Sequence, residues 1–160
     1  MKKITLLAIL LFGFHVSNAQ DTCDTALPLV PGITSIDGIN GTNINTTCST
    51  VPLAEWYVYT PTEDHTVTVS SDLTANACKD TRFYVYTGSC GSLVCYTGDD
   101  DSGNVTCGSG GNSYLSKATF SAFAGTTYYI AWDNRWGSTN FLFEFTEGPY
   151  VPSPVDFVAQ

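Results

Sequence analysis

The chain has 160 residues, with six basic side chains against fifteen acidic ones and a net charge of −9. That balance leaves no basic footprint for nucleic acid or for an anionic membrane surface, and it favours solubility and attraction of cations. The length suits one domain with a sizeable core, and the six cysteines form an even set.

The chain opens Met1-Lys2-Lys3, followed by an apolar run from Ile4 to Phe14 that is too short to span a bilayer. Val16-Ser17-Asn18-Ala19 then places small residues where a signal peptidase reads. Residues 1–19 are therefore read as a secretory signal peptide, and the destination as secreted or cell surface. Removing it takes away Lys2 and Lys3. Four basic residues then face fifteen acids, a net charge of −11 over 141 residues.

Export makes disulfides the expected state of Cys23, Cys48, Cys78, Cys90, Cys95 and Cys107. Six cysteines allow about fifteen connectivities. The expected set joins nearest available partners around turns: Cys23–Cys48, Cys78–Cys107 and Cys90–Cys95. A zinc site is the weaker alternative, because no Cys-x2-Cys pair occurs and His65 is the one histidine after the leader.

Past the leader no long helical periodicity appears. Short β-rich runs alternate with clusters of Gly, Asn, Asp and Ser. Weak strands are expected at 33–39 and 92–96. Stronger ones are expected at 55–60, 66–71, 81–87, 117–123, 126–133 and 140–146. Val67 and Val69 face one way and Thr66, Thr68 and Ser70 the other. Phe141, Phe143 and Phe145 alternate with Leu142 and Glu144, and Ala118, Phe120 and Ala122 with Lys117, Thr119 and Ser121. Tyr128, Ile130 and Trp132 are assigned to the core, as are Trp56 and Tyr57. Ala124-Gly125 is read as a tight hairpin joining its two flanking strands. One-sided strands at this spacing imply an all-β, jelly-roll-like antiparallel β-sandwich stabilised by disulfides. Residues 20–147 form the domain. From Gly148 to Pro154 the chain reads as a proline-rich linker, and Val155 to Ala159 as the opening of a further strand.

Several stretches, taken in order, resemble one family. These are Glu55-Trp56-Tyr57-Val58-Tyr59-Thr60-Pro61, the run from Thr81 to Gly91, Gly98-Asp99-Asp100-Asp101, and the run from Ala122 to Ile130. Together they resemble the bacterial pre-peptidase C-terminal domain, in the cysteine-containing version of secreted Bacteroidetes-type proteins, over residues 23–147. The resemblance implies a β-sandwich appended to exported peptidases and other surface proteins, generally not the catalytic part, with some members binding calcium and some binding insoluble polymer. Phe123 and Trp132 stand where the family more often has smaller residues. The tail from Pro152 to Ala159 is similar to the start of a fibronectin type III domain.

Three sets of residues could carry chemistry. His65 is the one candidate imidazole base. It lies in a polar turn, Glu63-Asp64-His65-Thr66, where an exposed turn histidine is the plainer reading. No serine sits in a Gly-x-Ser-x-Gly elbow, oxidised cysteines supply no thiolate, and nothing singles out a carboxylate pair among eleven Asp and four Glu. The chain is therefore read as no enzyme. Gly98-Asp99-Asp100-Asp101-Ser102-Gly103-Asn104 gathers hard oxygen ligands. Asp99, Asp100, Asp101 and Asn104, with Asp80 drawn in if Cys78 pairs with Cys107, form a candidate calcium site beside the plainer reading of a solvated turn. It is no EF-hand, since the twelfth position of such a loop is Gly110. Asn134, Arg135 and Trp136 could stack on and hydrogen-bond a sugar ring, against the alternative of a tryptophan capping the sandwich edge with Arg135 stacked on it. The reading that results is an accessory or binding module aiding substrate targeting, adhesion or stability. Its partner is an extracellular protein or polysaccharide polymer, or neighbouring domains of the same chain. A carbohydrate-binding module is the alternative.

Overall fold

A computed structural model describes residues 20–152 apart from Asn45 and Thr47, so residues 1–19, read above as a signal peptide, and 153–160, which hold all but the first residue of the stretch likened to a fibronectin type III domain, lie outside the described residues. The described residues form eleven strands: β1 (Leu27–Pro28), β2 (Gly32–Gly38), β3 (Ala54–Tyr59), β4 (His65–Ser70), β5 (Arg82–Ser89), β6 (Ser92–Asp99), β7 (Thr106–Cys107), β8 (Gly111–Asn112), β9 (Lys117–Ala122), β10 (Tyr128–Asp133) and β11 (Thr139–Pro149). Two short 3-10 turns are the only helical pieces among the described residues.

One sheet has the order β1-β3-β10-β5-β6 and the other β2-β11-β4-β9, while β7 and β8 form a small separate ribbon. Setting aside β1, which adds parallel to β3, the two four-stranded orders are those of a jelly roll. The expected fold is therefore the observed one. The chain changes sheet at nearly every connection, and β5–β6 is the one hairpin within the two main sheets.

The alternating side chains meet between the sheets. Tyr57, Phe83, Val85, Tyr128, Ile130 and Trp132 face Ile36, Val67, Val69, Phe120, Phe141, Phe143 and Phe145 in one buried cluster. Trp132 packs on Phe83, Phe141 and Phe143 with centroids 4.7–5.2 Å away, so the large residue is fully accommodated. Phe123 lies outside the core and meets Tyr150 edge-on at 5.7 Å.

Strand alternation alone would leave Trp56 exposed if Tyr57 is buried. Both are buried, because the five-stranded sheet is covered on its outer face as well. Ala54, Trp56, Tyr86 and Ala131 form a second cluster there with Cys23, and Ala26, Ile44, Cys48 and Leu93 pack against it. The cover is built from the segment before β1 and the loop 39–53. Glu55, itself buried, accepts hydrogen bonds from the Asn40 and Gly41 amides at 2.8 and 2.9 Å. Gly41 passes so close to Ala54 and Asp21 that a Cβ would collide with both backbones. Asp133 receives a bidentate Arg82 and the Ser49 hydroxyl at 2.7 Å, tying β10 and β5 to the same loop. The other sheet's outer face is polar and open, with Lys117, Thr119 and Thr146 exposed.

Two expectations are overturned. Ala124-Gly125 is no hairpin: β9 pairs with β4 and β10 with β3 and β5, so this turn carries the chain from one sheet to the other. Gly125 takes the positive φ of 74° that the arch requires. The disulfides also differ. Cys78–Cys107 forms, but the others are Cys23–Cys90 and Cys48–Cys95. Cys90 sits at the tip of the β5–β6 hairpin and Cys95 well along β6. The extended run from Ser92 to Cys95 spans about 10 Å, beyond the roughly 7 Å that a disulfide bridges between Cα atoms. Cys95 lies opposite Tyr86, whose ring faces the cover, and it meets Cys48 there. Strand β11 runs on to Pro149, and the Val151 amide donates to Thr66 Oγ1 at 3.0 Å, so the start of the proposed linker is fastened to the sandwich.

Non-reducing peptide mapping is expected to recover Cys23 with Cys90 and Cys48 with Cys95. Replacing Cys23 and Cys90 together by serine should lower stability by about 2–4 kcal/mol, because the 67-residue separation makes this closure entropically large. Denaturant unfolding reads that loss.

Candidate functional site

The acidic residues converge through strand register. β5 and β6 are antiparallel with Phe83 opposite Asp99. Residues just before β5 therefore lie beside residues just after β6, and Asp80 meets Asp100 and Asp101. The Cys78–Cys107 bridge closes the same end, with Cα atoms 4.6 Å apart. One carboxylate oxygen from each of Asp80, Asp100 and Asp101 lies within 4.8 Å of the others.

The remaining members of the expected set do other work. The Asp99 carboxylate accepts from the Ser102 amide at 2.9 Å, the Ser102 hydroxyl and the Lys117 amide at 2.8 Å, which ties the turn to β9. Asn104 is exposed, and its amide is bound by Asp72. Asp72 carries no local mark in the sequence that would single it out. One of its oxygens accepts both the Asn104 and Val105 amides at 2.8 Å and so fixes the path of the chain away from the turn. Gly103 sits against Leu115, with no room for a Cβ, and its amide donates to the Leu115 carbonyl.

Asp80 is half-buried, and its Oδ1 is buried without a hydrogen-bond partner. Burial, reinforced by Asp101 and then Asp100, pushes its carboxyl up to about 6. The Asp101 carboxyl is also raised, by desolvation first and then by Asp100 and Asp99. Such an arrangement holds charge that wants compensation.

Trp136 belongs to the same corner. Its indole Nε1 donates to Asp100 Oδ1 at 2.8 Å, and the Arg135 guanidinium lies 5.0 Å from the ring centroid. The ring remains 53% exposed. Asn134 separates from the pair: it is half-buried, with its amide donating to Leu53 and its side-chain oxygen enclosed. His65 is not an exposed turn residue. It is half-buried at the start of β4, and its Nδ1 bonds the Gly148 carbonyl at 3.2 Å, which places the ring proton on Nδ1. Among the described residues, no carboxylate is hydrogen-bonded to its ring as an orienting acid would be.

All six cysteines are oxidised. Three disulfides in a small β domain are typical of extracellular proteins. Among the described residues no helix is long and apolar enough to cross a membrane. In comparisons with known proteins, no family model, curated protein or solved structure matches this chain.

The raised Asp80 carboxyl sets a pH dependence. Its folded value lies above the ordinary carboxylate value of 3.8, so the folded chain holds the proton more tightly than the unfolded one. Its contribution to stability therefore falls as pH rises from about 4 to about 6. In chelator, the melting temperature is expected to drop across that window by less in Asp80→Asn than in the parent. Equal slopes would show that Asp80 does not titrate there.

Proposed function

We propose that this chain is a non-catalytic accessory module of an exported protein, serving substrate targeting or attachment, with its acidic corner set by calcium. The observation that carries the calcium assignment is the buried, unpartnered Asp80 Oδ1 facing two further carboxylates. Calcium takes six to eight hard oxygens. Asp80, Asp100 and Asp101 would each supply one, and carbonyls and water the remainder. A bound ion would replace mutual repulsion with attraction and favour the charged forms of Asp80 and Asp101. Asp99 does not enter this set, since its carboxylate is spent on the turn itself. The resemblance to pre-peptidase C-terminal domains supports an accessory role, and so does the position of His65, which serves a strand junction.

A carbohydrate-binding role has one observation in its favour, the exposure of Trp136. Arg135 and Trp136 would be its platform, without Asn134. On this reading calcium, through Asp100, would also orient the indole.

Thermal melting with millimolar calcium against chelator tests the proposal. At a hundredfold excess over the dissociation constant, linkage gives about 2.7 kcal/mol. That corresponds to a rise of about 8–12 °C for a domain of this size. Asp80→Asn and Asp101→Ala should abolish the rise. An unchanged melting temperature, with no heat of binding, refutes the site. Cosedimentation of the calcium-loaded chain with insoluble protein and polysaccharide polymers tests the module role, and retention by neither refutes it.

A further inference from the structure

A second concavity lies at one end of the sandwich, formed where the chain changes sheet. Leu29, Val30 and Pro31 carry it from β1 to β2, and Thr60, Pro61 and Thr62 from β3 towards β4. Glu147 of β11 and His65 complete a cleft of about 230 Å³. We propose that this cleft takes a basic side chain, lysine or arginine, of an extracellular protein, an assignment that rests on the reading of the chain as a binding module.

The walls suit an aliphatic stem. Leu29, Tyr59 and Pro61 are buried and form the floor, while Val30 is 72% exposed at the rim. The floor is held rigidly: the Leu29 amide donates to Val58 at 2.8 Å, and the Pro61 carbonyl accepts from Gly125 at 2.9 Å. A rigid site loses little on binding. The volume is smaller than the roughly 300–1,000 Å³ of pockets that enclose a whole small molecule, which favours a single inserted side chain.

The polar groups select the charge of the head. The Tyr59 hydroxyl donates to Glu147 Oε2 at 2.5 Å. Its proton is thereby used, and what remains on the phenol and the carboxylate is acceptor capacity. The His65 ring has its Nδ1 proton committed to Gly148, so in the neutral ring Nε2 is an acceptor as well. Among the described residues no lysine or arginine lines the cleft, and the adjoining turn carries exposed Glu63 and Asp64. An anion would be repelled. A bare metal ion would gain nothing from the apolar walls. An ammonium or guanidinium on an aliphatic stem uses both halves of the site, with its stem on Val30, Leu29 and Pro61 and its head on Glu147. The acidic surface as a whole raises the encounter rate with such a partner.

Amide NMR titration of the calcium-loaded chain tests this, with N-acetyl-lysine N-methylamide as the probe and its norleucine counterpart as the control. The expected result is saturable shifts at millimolar probe confined to the amides of residues 29, 30, 59, 60, 62 and 147. The norleucine compound should bind at least about fivefold more weakly, and Glu147→Gln should weaken lysine binding about tenfold with the rest of the spectrum unchanged. Val30→Ser, at the exposed rim, should weaken it by a smaller factor. Absence of saturable shifts, equal binding of norleucine, or shifts centred on residues 99–101 would each overturn the assignment. Calcium melting and polymer cosedimentation of the Glu147→Gln chain separate the two readings. If both persist while the parent ignores the lysine probe, the cleft assignment fails and the module reading stands.

Discussion

The antiparallel pairing of β5 with β6 is the constraint on which the rest of the molecule depends. Its tip and its outer face carry Cys90 and Cys95, which hold the covering segments on the five-stranded sheet. Its open end sets Asp80 beside Asp100 and Asp101. One ladder of backbone hydrogen bonds therefore fixes both the second hydrophobic cluster and the acidic corner. A slip of β6 by one residue would turn Cys95 to the other face of the sheet, away from Cys48.

The cover explains why a sheet that forms one wall of a sandwich is apolar on both sides. Trp56 and Tyr86, 5.8 Å apart between centroids, need a roof, and loop 39–53 supplies it. That loop has little regular structure to stabilise it. The Cys48–Cys95 disulfide, the grip of Glu55 on two amides and the Asp133–Ser49 bond do so instead. Among the described residues the opposite sheet has no such roof, and its Thr119, Thr146 and Lys117 are exposed, so its strands show the plain alternation that the five-stranded sheet lacks.

That difference governs what could be read in advance. In β4, β9 and β11 the period-two pattern of Val67, Phe120 and Phe143 identifies strands and inner faces directly. In β3 the run Ala54 to Tyr59 is buried almost throughout, and the pattern does not say which face belongs to which cluster. Ala124-Gly125 has the composition of a hairpin turn, but a jelly roll uses the same residues to arch between sheets, and local sequence does not distinguish the two. Two of the three disulfides depart from pairing by nearness for a related reason, while Cys78–Cys107 follows it. Nearness in sequence favours Cys90 with Cys95, whereas the strand between them is extended and holds them apart. The acidic corner was legible in its residue types and in the entry of Asp80, but the inward turn of Asp99 and the anchoring by Asp72 depend on long-range partners. The cleft at the other end, made by Tyr59 and Glu147 from separate strands, leaves no local mark.

The connectivity of the two covering disulfides also bears on how the chain is made. Read along the sequence, Cys23–Cys90 and Cys48–Cys95 interleave, so neither bridge encloses the other. A chain that emerges from a ribosome or a translocation pore N-terminus first exposes Cys23 and Cys48 together, well before either proper partner appears. An oxidase acting on whatever thiols are at hand would join those two. Reaching the final state then requires thiol–disulfide exchange, on a scale of seconds to hours without help. Maturation is thus coupled to the supply of an isomerase, or of a reductant that keeps the first two thiols waiting until the hairpin is out.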